Sequence, residues 1–546
     1  MQYVMPFIVG MVVTMAWLPV LVRLANRWLI VDHPGVRKVH SAPVPRVGGI
    51  AMALGVLIAA LVTVHLQRAD VWFLAAAGIL IAFGVMDDRF DLDYRVKLIG
   101  QLVAVGIVVF AGDVRIQTIA LDDRLWLPSW VSLPLTALFL VGVTNAVNLA
   151  DGLDGLAGGT TFLCLCAVAL LSSVGVPGSS TALALAFAGA VLGFLRFNTY
   201  PASVFMGDAG SQLLGFGIGV LSIRATQNAS SEISAAIPIL LLALPILDTL
   251  SVMVQRIGEG RSPFSPDKNH IHHKLLALGF DHHEAVMVIY VVQGALFVSA
   301  YFLRYESDVV ILGFVAAFFG AAIAALQIAA RTGWRLREAG KDPNDSPLPH
   351  FLNVMQNPGA IPRLSYGALT AAIGGYALLI VIETATLSSD FRILIFVLLA
   401  VIVVFSAVLR GAPLNVVEKA ALYVTATLLV YLDAVLLAEN HVLSVLGWIA
   451  VTVAAVATAV RLRLFNDRRF QLTPLDLIVL FMALVVPSLP GTMHLPHGGA
   501  WAIAKLVILF YAIEMLVSRS ELRAGWVRMA AASVLAGLIL RSVLFV

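Results

Sequence analysis

Along this chain, apolar runs of about 16 to 22 residues alternate with short polar connections, and each run is roughly what a helix needs to cross hydrocarbon. The runs fall near 3–24, 47–66, 71–86, 96–112, 132–149, 159–175, 180–196, 209–225, 235–255, 286–303 and 308–328, predicting about eleven spans. A polar, proline-rich stretch from about Arg331 to Arg363, holding Lys341-Asp342-Pro343-Asn344-Asp345, then breaks the pattern and reads as a linker. About seven further runs follow, near 365–383, 391–409, 417–438, 444–461, 475–490, 499–517 and 529–546. The expected fold is therefore an all-α polytopic membrane protein: a core over 1–330, a linker over 331–363 and a C-terminal extension over 364–546. The extension is topologically regular and chemically quiet, and no internal repeat relates it to the core.

Composition removes the alternatives. With 546 residues, 60% of them hydrophobic and 12% charged, no soluble core could hide this much apolar surface. A net charge of +3, scattered along the chain, gives no basic surface for nucleic acid. Cys164 and Cys166 sit two apart in one apolar run, point to different sides of a helix and cannot bridge. No small-residue cleavage site follows the first run, so Met5 to Leu24 is expected to stay as a span.

Basic residues set the orientation. Arg23, Arg27, Arg37, Lys38 and Arg46 follow the first run, and Arg256, Arg261, Lys268 and Lys274 follow the ninth. Alternate loops carry far fewer, which puts the N-terminus outside and the odd-numbered loops in the cytoplasm. That face collects nearly all the candidate chemistry. Asp87, Asp88, Asp91 and Asp93 crowd four carboxylates into seven residues; two like charges about 4 Å apart repel by roughly 4 kcal/mol at an effective dielectric near 20, so converging carboxylates call for a cation or a proton. Oxygen donors without thiolates suit Mg²⁺ or Mn²⁺. The bland alternative is an acidic helix cap with solvated charge.

Asn145, Asn148 and Asp151 recur every three residues on roughly one helix face, and Gly152-Leu153-Asp154-Gly155 continues with backbone that can approach a ligand. In Phe205-Met206-Gly207-Asp208, Phe205 can stack on a base and Asp208 can hold a metal that also touches phosphate. His270-Ile271-His272-His273 offers imidazoles for phosphate oxygens and sugar hydroxyls. Zinc is disfavoured there, since the cysteines are remote and no His pair has the usual spacing. Asp248, inside a span, is either functional or a polar contact between helices.

Taken together, Asp87-Asp88-x-x-Asp91, the Asn-x-x-Asn-x-x-Asp-Gly-x-Asp-Gly run, Phe205 to Asp208 and His270-Ile271-His272-His273 resemble the membrane polyprenyl-phosphate N-acetylhexosamine-1-phosphate transferases of glycosyltransferase family 4. Arg37-Lys38-Val39-His40 with Pro45 to Gly49 belongs to the same pattern, which extends over about residues 1–330. The His-x-His-His form is similar to the bacterial undecaprenyl-phosphate GlcNAc-1-phosphate transferase branch, which initiates O-antigen, enterobacterial common antigen and wall teichoic acid. The extension departs from it.

The resemblance implies that a polyprenyl phosphate, most readily undecaprenyl phosphate, attacks a UDP-amino sugar with Mg²⁺ present, at the cytoplasmic face of a bacterial inner membrane. It implies metal binding by Asp208 and Asn148, uracil stacking by Phe205, and nucleoside contacts by Asn145 and Asp154, with Asp151 beside them. It implies a diphosphate contact for Lys97, and handling of the lipid phosphate by Asp87 and Asp88 with Asp91 in the same box. Sugar and phosphate fall to His270, His272 and His273. A homodimer is one allowed assembly. The competing readings are a lipid-linked-sugar transporter or flippase, and an assembly scaffold.

Overall fold

A computed structural model describes residues 4–32, 43–120, 124–174, 178–227, 232–262 and 269–336, then 360–384, 387, 389–408, 422–433, 441–464, 474–475, 477–479, 481–482, 489, 499–517 and 524–544. The Arg37 to His40 motif and Asp267-Lys268 lie outside the described residues. Contacts divide the chain into two compact units, Met1–Lys341 with Thr473–Ile478, and Asp342–Leu472 with Val479–Val546.

In the first unit the apolar runs form α1 (Val4–Trp28), α2 (Gly48–Thr63), α3 (Arg68–Phe90), α4 (Tyr94–Phe110), α5 (Ser129–Ala150), α6 (Leu156–Val174), α7 (Ser179–Asn198) and α8 (Gly207–Thr226). After them come α9 (Ile237–Leu241), α10 (Ala243–Gly258), α11 (Ile271–Ala277), α12 (His282–Phe302) and α13 (Asp308–Thr332). Two small antiparallel ribbons interrupt the helices: β1 (Val31–Asp32) with β2 (Val44–Pro45), and β3 (Thr118–Ala120) with β4 (Arg124–Trp126). The chain is thus a multi-pass, all-α membrane protein.

Eight described helices have both the length and the apolar content to cross a bilayer, fewer than the eighteen runs predict. The core expectation falls short for visible reasons. α2 has 16 residues and α4 has 17. α8 is diluted by Asp208, Ser211, Gln212 and several glycines. The run at 235–255 is not one helix but two, because Pro245 has no N–H for the carbonyl of Leu241 and crowds it. That freed carbonyl accepts from Gln293 Nε2 at 2.9 Å and from Cys164 Sγ at 3.3 Å. Such replacement of a lost backbone bond is what lets a broken helix persist in an apolar interior.

Close backbone approach fixes where α8 begins. A Cβ on Gly84 of α3 would lie 2.4 Å from Ala209 Cα, and one on Gly49 of α2 would lie 2.2 Å from the Gly210 nitrogen. Only glycine lets α2 and α3 seat the first turn of α8 between them.

The second unit is built from Ala360–Glu383, Ser389–Val408, Leu422–Asp433, His441–Leu464, Gly499–Val517 and Ala524–Leu544, among the described residues. Leu369, Ala372, Ala454, Ala457, Ala512 and Met515 form one of its buried clusters. It is less quiet than its sequence reads: Lys505 and Asp433, both buried, form an ion pair, and the Lys505 ammonium lies 4.6 Å from the Trp448 ring centre.

Candidate active site

The acidic run divides into two kinds of carboxylate. α3 ends because Asp91 turns left-handed (φ 52°) and returns its N–H to the Asp87 carbonyl at 2.8 Å. Asp93 then caps α4 by accepting from the Arg95 N–H at 2.9 Å. Asp91 and Asp93 are exposed, and the Asp91 carboxylate makes no hydrogen bond or ion pair among the described residues. For these two the helix-terminus reading fits. Asp87 and Asp88 instead face inward, toward α4 and α8.

Asp88 is committed to backbone. Its two oxygens accept from the N–H groups of Asp208 (2.9 Å) and Ala209 (3.2 Å), capping α8 with a carboxylate where the helix dipole favours one. Gly207 makes this possible: its φ is +68°, and a Cβ there would lie 2.4 Å from Asp88 Oδ2. Asp87 is held by the Leu92 N–H at 2.8 Å on Oδ1, while its other oxygen pairs with Lys97. Lys97, one turn into α4, also reaches Asp208 Oδ2 at 2.9 Å. Two carboxylates therefore share one ammonium, with the Asp88 carboxylate beside them on the α8 backbone. Arg46, itself paired with Asp32, adds a cationic field over Asp88, Asp151 and Asp208.

The α5 face arrives beside this group. The Asn148 side-chain oxygen accepts from the Ser211 hydroxyl at 2.8 Å, one turn from Asp208. Asn145 lies deeper, its amide donating to Gln101 Oε1 (2.7 Å) and to the Val141 carbonyl (2.8 Å), and Gln101 continues to Gln212 at 3.3 Å. That network satisfies amides that would otherwise be costly among apolar helices. Asp151, just past α5, has its carboxyl pushed up to about 7, by crowding from surrounding protein and then by repulsion from Asp208 and Asp154. Because the residue itself is exposed, repulsion is the firmer cause.

Asp154 works on the loops. Its carboxylate accepts from the Ala202 N–H at 2.9 Å and its own N–H donates to His282 Nε2 at 2.9 Å. Asn198 and Tyr290 hold the next residue, Gly155, by its N–H (3.0 Å) and its carbonyl (2.6 Å). Phe205 is fixed by its backbone, donating to the Pro45 carbonyl at 2.8 Å and accepting from the Gly48 N–H at 3.0 Å.

The imidazoles complete the rim. Asp248 of α10 accepts from the Ile271 N–H at 2.6 Å and meets His270 Nδ1 at 2.9 Å, so the intramembrane carboxylate is a cap for α11. His272 lies over Gly152, where a Cβ would stand 2.4 Å from its Nε2. Burial, then the neighbouring His273, push the His272 pKa down to about 4, so this ring is neutral at physiological pH. Its ring centre is 4.2 Å from that of His273 and 5.8 Å from that of His270. Among the described residues, no three His, Cys, Asp or Glu side chains close around a common metal position.

Gln101, Gln212, Ser211, Asn198 and Tyr290 also shape the site without standing out in the sequence, and Arg46, legible there as a loop charge within the Pro45 to Gly49 motif, joins them. For the two glutamines a signal existed, since an amide inside an apolar span requires a partner. Ser211, Asn198 and Tyr290 become visible only through contacts between distant segments.

Comparison with known proteins follows the same residues. The profile of Glycosyl transferase family 4 matches residues 71–226, a stretch that runs from α3 through Asp208. A Bacillus subtilis protein named probable undecaprenyl-phosphate N-acetylglucosaminyl 1-phosphate transferase is 36% identical over 307 residues, covering 56% of this chain and 85% of the relative. The decaprenyl-phosphate N-acetylglucosaminephosphotransferase of Mycolicibacterium smegmatis is 37% identical over 304 residues, 49% of this chain and 73% of that one. The undecaprenyl-phosphate alpha-N-acetylglucosaminyl 1-phosphate transferase of Escherichia coli K12 is 32% identical over 277 residues, 49% and 74% respectively. This chain belongs to glycosyl transferase family 4, among the polyprenyl-phosphate N-acetylhexosamine-1-phosphate transferases.

Proposed function

We propose that the protein transfers GlcNAc-1-phosphate from UDP-GlcNAc to undecaprenyl phosphate, releasing UMP, at the cytoplasmic face of a bacterial inner membrane. The observation that carries this reading is the convergence of Asp87, Lys97, Asn148 and Asp208 at one end of a bundle of membrane helices. A lipid nucleophile can reach that place from the bilayer and a nucleotide can reach it from water.

In the reaction, an oxygen of the lipid phosphate forms a bond to the β-phosphorus of the donor. The bond from that phosphorus to the α–β bridging oxygen breaks, and UMP leaves with the electron pair. A phosphate monoester with a second pKa near 6 is already mostly dianionic, so positioning and charge neutralisation replace strong base catalysis. Lys97 supplies an ammonium to the diphosphate; Asp87 and Asp208 hold it in place. His270 and His273 donate to sugar and phosphate, while neutral His272 shapes the wall over Gly152. Phe205 stacks on uracil and Asp154 ties together the loops around the nucleoside.

The oxygen-only donor set fits Mg²⁺ better than a soft metal. Asp208 and Asn148 would hold it, with substrate oxygens completing the shell. When bound, the ion neutralises charge on the diphosphate.

The test is UMP release and lipid-product formation by purified protein given undecaprenyl phosphate, Mg²⁺ and a panel of UDP-sugars. Lipid-dependent turnover with UDP-GlcNAc supports the reading, and no turnover with any donor by folded protein contradicts it. Phe205→Ala should raise KM for the donor more than it lowers kcat, because stacking precedes the transition state. The orientation is tested by a tag in the 262–284 loop, which should be inaccessible from outside the cell.

A further inference from the structure

Between α10, α11 and the last turns of α13 lies a cleft of about 780 Å³. Leu247, Leu250 and Val254 of α10 face Phe319, Ile323 and Leu326 of α13 across it. Two cations stand on its lining, Lys274 of α11 and Arg335 just beyond α13. Neither side chain has a hydrogen bond or an ion pair among the described residues, and Lys274 is half-buried. The carboxylate at the end of α10, Glu259, is already engaged by Gln255 (3.0 Å) and Arg261 (2.8 Å). Asp87, Lys97, Asn148, Asp151 and Asp208 line none of this space.

Apolar walls with unpaired cations at one end are complementary to an amphiphile with an anionic head. From Phe319 to Thr332 the helix rises about 20 Å, on the scale of one leaflet of a bilayer whose hydrocarbon core is about 30 Å thick, plus its head-group zone. Trp334 stands at the cationic end, where an indole suits the membrane interface. Attraction of an acidic lipid surface amounts to about 1 kcal/mol per basic side chain.

We propose that this cleft binds an acidic phospholipid from the leaflet on the catalytic side, its acyl chain between α10 and α13 and its phosphate between Lys274 and Arg335. The bound lipid braces α11. The Leu336 N–H donates to the Leu278 carbonyl at 2.8 Å and the Trp334 and Phe280 rings lie 6.2 Å apart, so the end of α13 and the end of α11 already form one seat. α11 begins at His270 and carries His272 over Gly152, which makes the imidazole rim the part of the enzyme that the lipid steadies.

Full-length protein, purified in a neutral detergent with phosphatidylglycerol or phosphatidylcholine, is examined by native mass spectrometry for retained lipid. Wild type should retain one phosphatidylglycerol in preference to phosphatidylcholine, and excess undecaprenyl phosphate should not displace it. The Lys274→Gln/Arg335→Gln pair should bind phosphatidylglycerol about thirtyfold more weakly. Ala330→Trp, which fills the apolar part and keeps both charges, should also lose it, so a folding defect in one variant leaves the other as the test. Equal retention of phosphatidylglycerol by wild type and folded variants would overturn the proposal. So would equal retention of phosphatidylcholine, or displacement by undecaprenyl phosphate mole for mole, which would make the cleft an acceptor groove. The binding readout does not depend on turnover, so it separates this inference from the transferase reading.

Discussion

Helices α3 and α8 lie against each other along their length and carry a charged cluster at each end, and the two clusters are built on opposite plans. At one end Asp70, fully buried, accepts from Arg224 at 2.7 Å, from the Ser179 hydroxyl at 3.2 Å and from the Gln67 N–H at 2.8 Å. One carboxylate meets one guanidinium, and both Asp70 oxygens are occupied. At the other end three carboxylates gather around one ammonium: Asp87 and Asp208 share Lys97, Asp88 caps α8 beside them, and Asp208 is partly open to solvent. A closed pair of balanced charge is a fastener. An open cluster with surplus negative charge is poised to take a cation and, through it, a phosphate.

The largest expected effect breaks the open cluster. Asp208→Asn should lower kcat by at least about a thousandfold, the scale lost when a key electrostatic contact to a transition state is removed. Its melting temperature should stay near that of wild type, and a steady-state assay with a thermal scan checks both. Next comes the closed pair: Asp70→Ala leaves the half-buried Arg224 guanidinium with the Ser179 hydroxyl but no carboxylate and should destabilise the protein by about 3 kcal/mol. Specific activity of the folded fraction should be kept, because Asp70 is at the other end of α3. If Asp70→Ala silenced the chemistry without loss of stability, the contrast between the two ends would fail.

Smaller effects sharpen the picture. Gly152→Ala pushes a methyl into the His272 ring and should raise donor KM by about tenfold, about 1.4 kcal/mol of lost binding. Asp151→Asn tests the repulsion. A carboxyl whose folded pKa is raised from 3.8 to about 7 stabilises the fold below pH 4, and that stability is lost as pH rises toward 7. In metal-free protein the variant should therefore gain on wild type between pH 4 and pH 7. The gain should be about 1 kcal/mol, well under the full shift because the group is exposed and screened. A pH series of melting temperatures in a chelator reads it, and a gain of the same size at pH 4 would contradict it.

Much of this was legible in the sequence, for reasons that also mark where legibility stopped. The positions of the apolar runs gave the helices because burial in hydrocarbon leaves few other options. The break at 235–255 was visible in Pro238 and Pro245, and the expectation of one span gave hydropathy precedence over the missing N–H. Within Asp87 to Asp93, local sequence could not separate a cap from a ligand, since both use the same carboxylate. The separation comes from whether α8 or solvent lies opposite. Asp433 and Lys505 are each conspicuous in an apolar run, yet their pairing across 72 residues of chain needs the fold.

The most direct measurement follows the β-phosphorus. With UDP-GlcNAc labelled at that atom, undecaprenyl phosphate and Mg²⁺, the account predicts label in the lipid product, unlabelled UMP in solution, and neither with Asp208→Asn. Label leaving as UDP, with only the sugar passing to the lipid, would contradict the proposed transfer at the cluster of Asp87, Lys97 and Asp208.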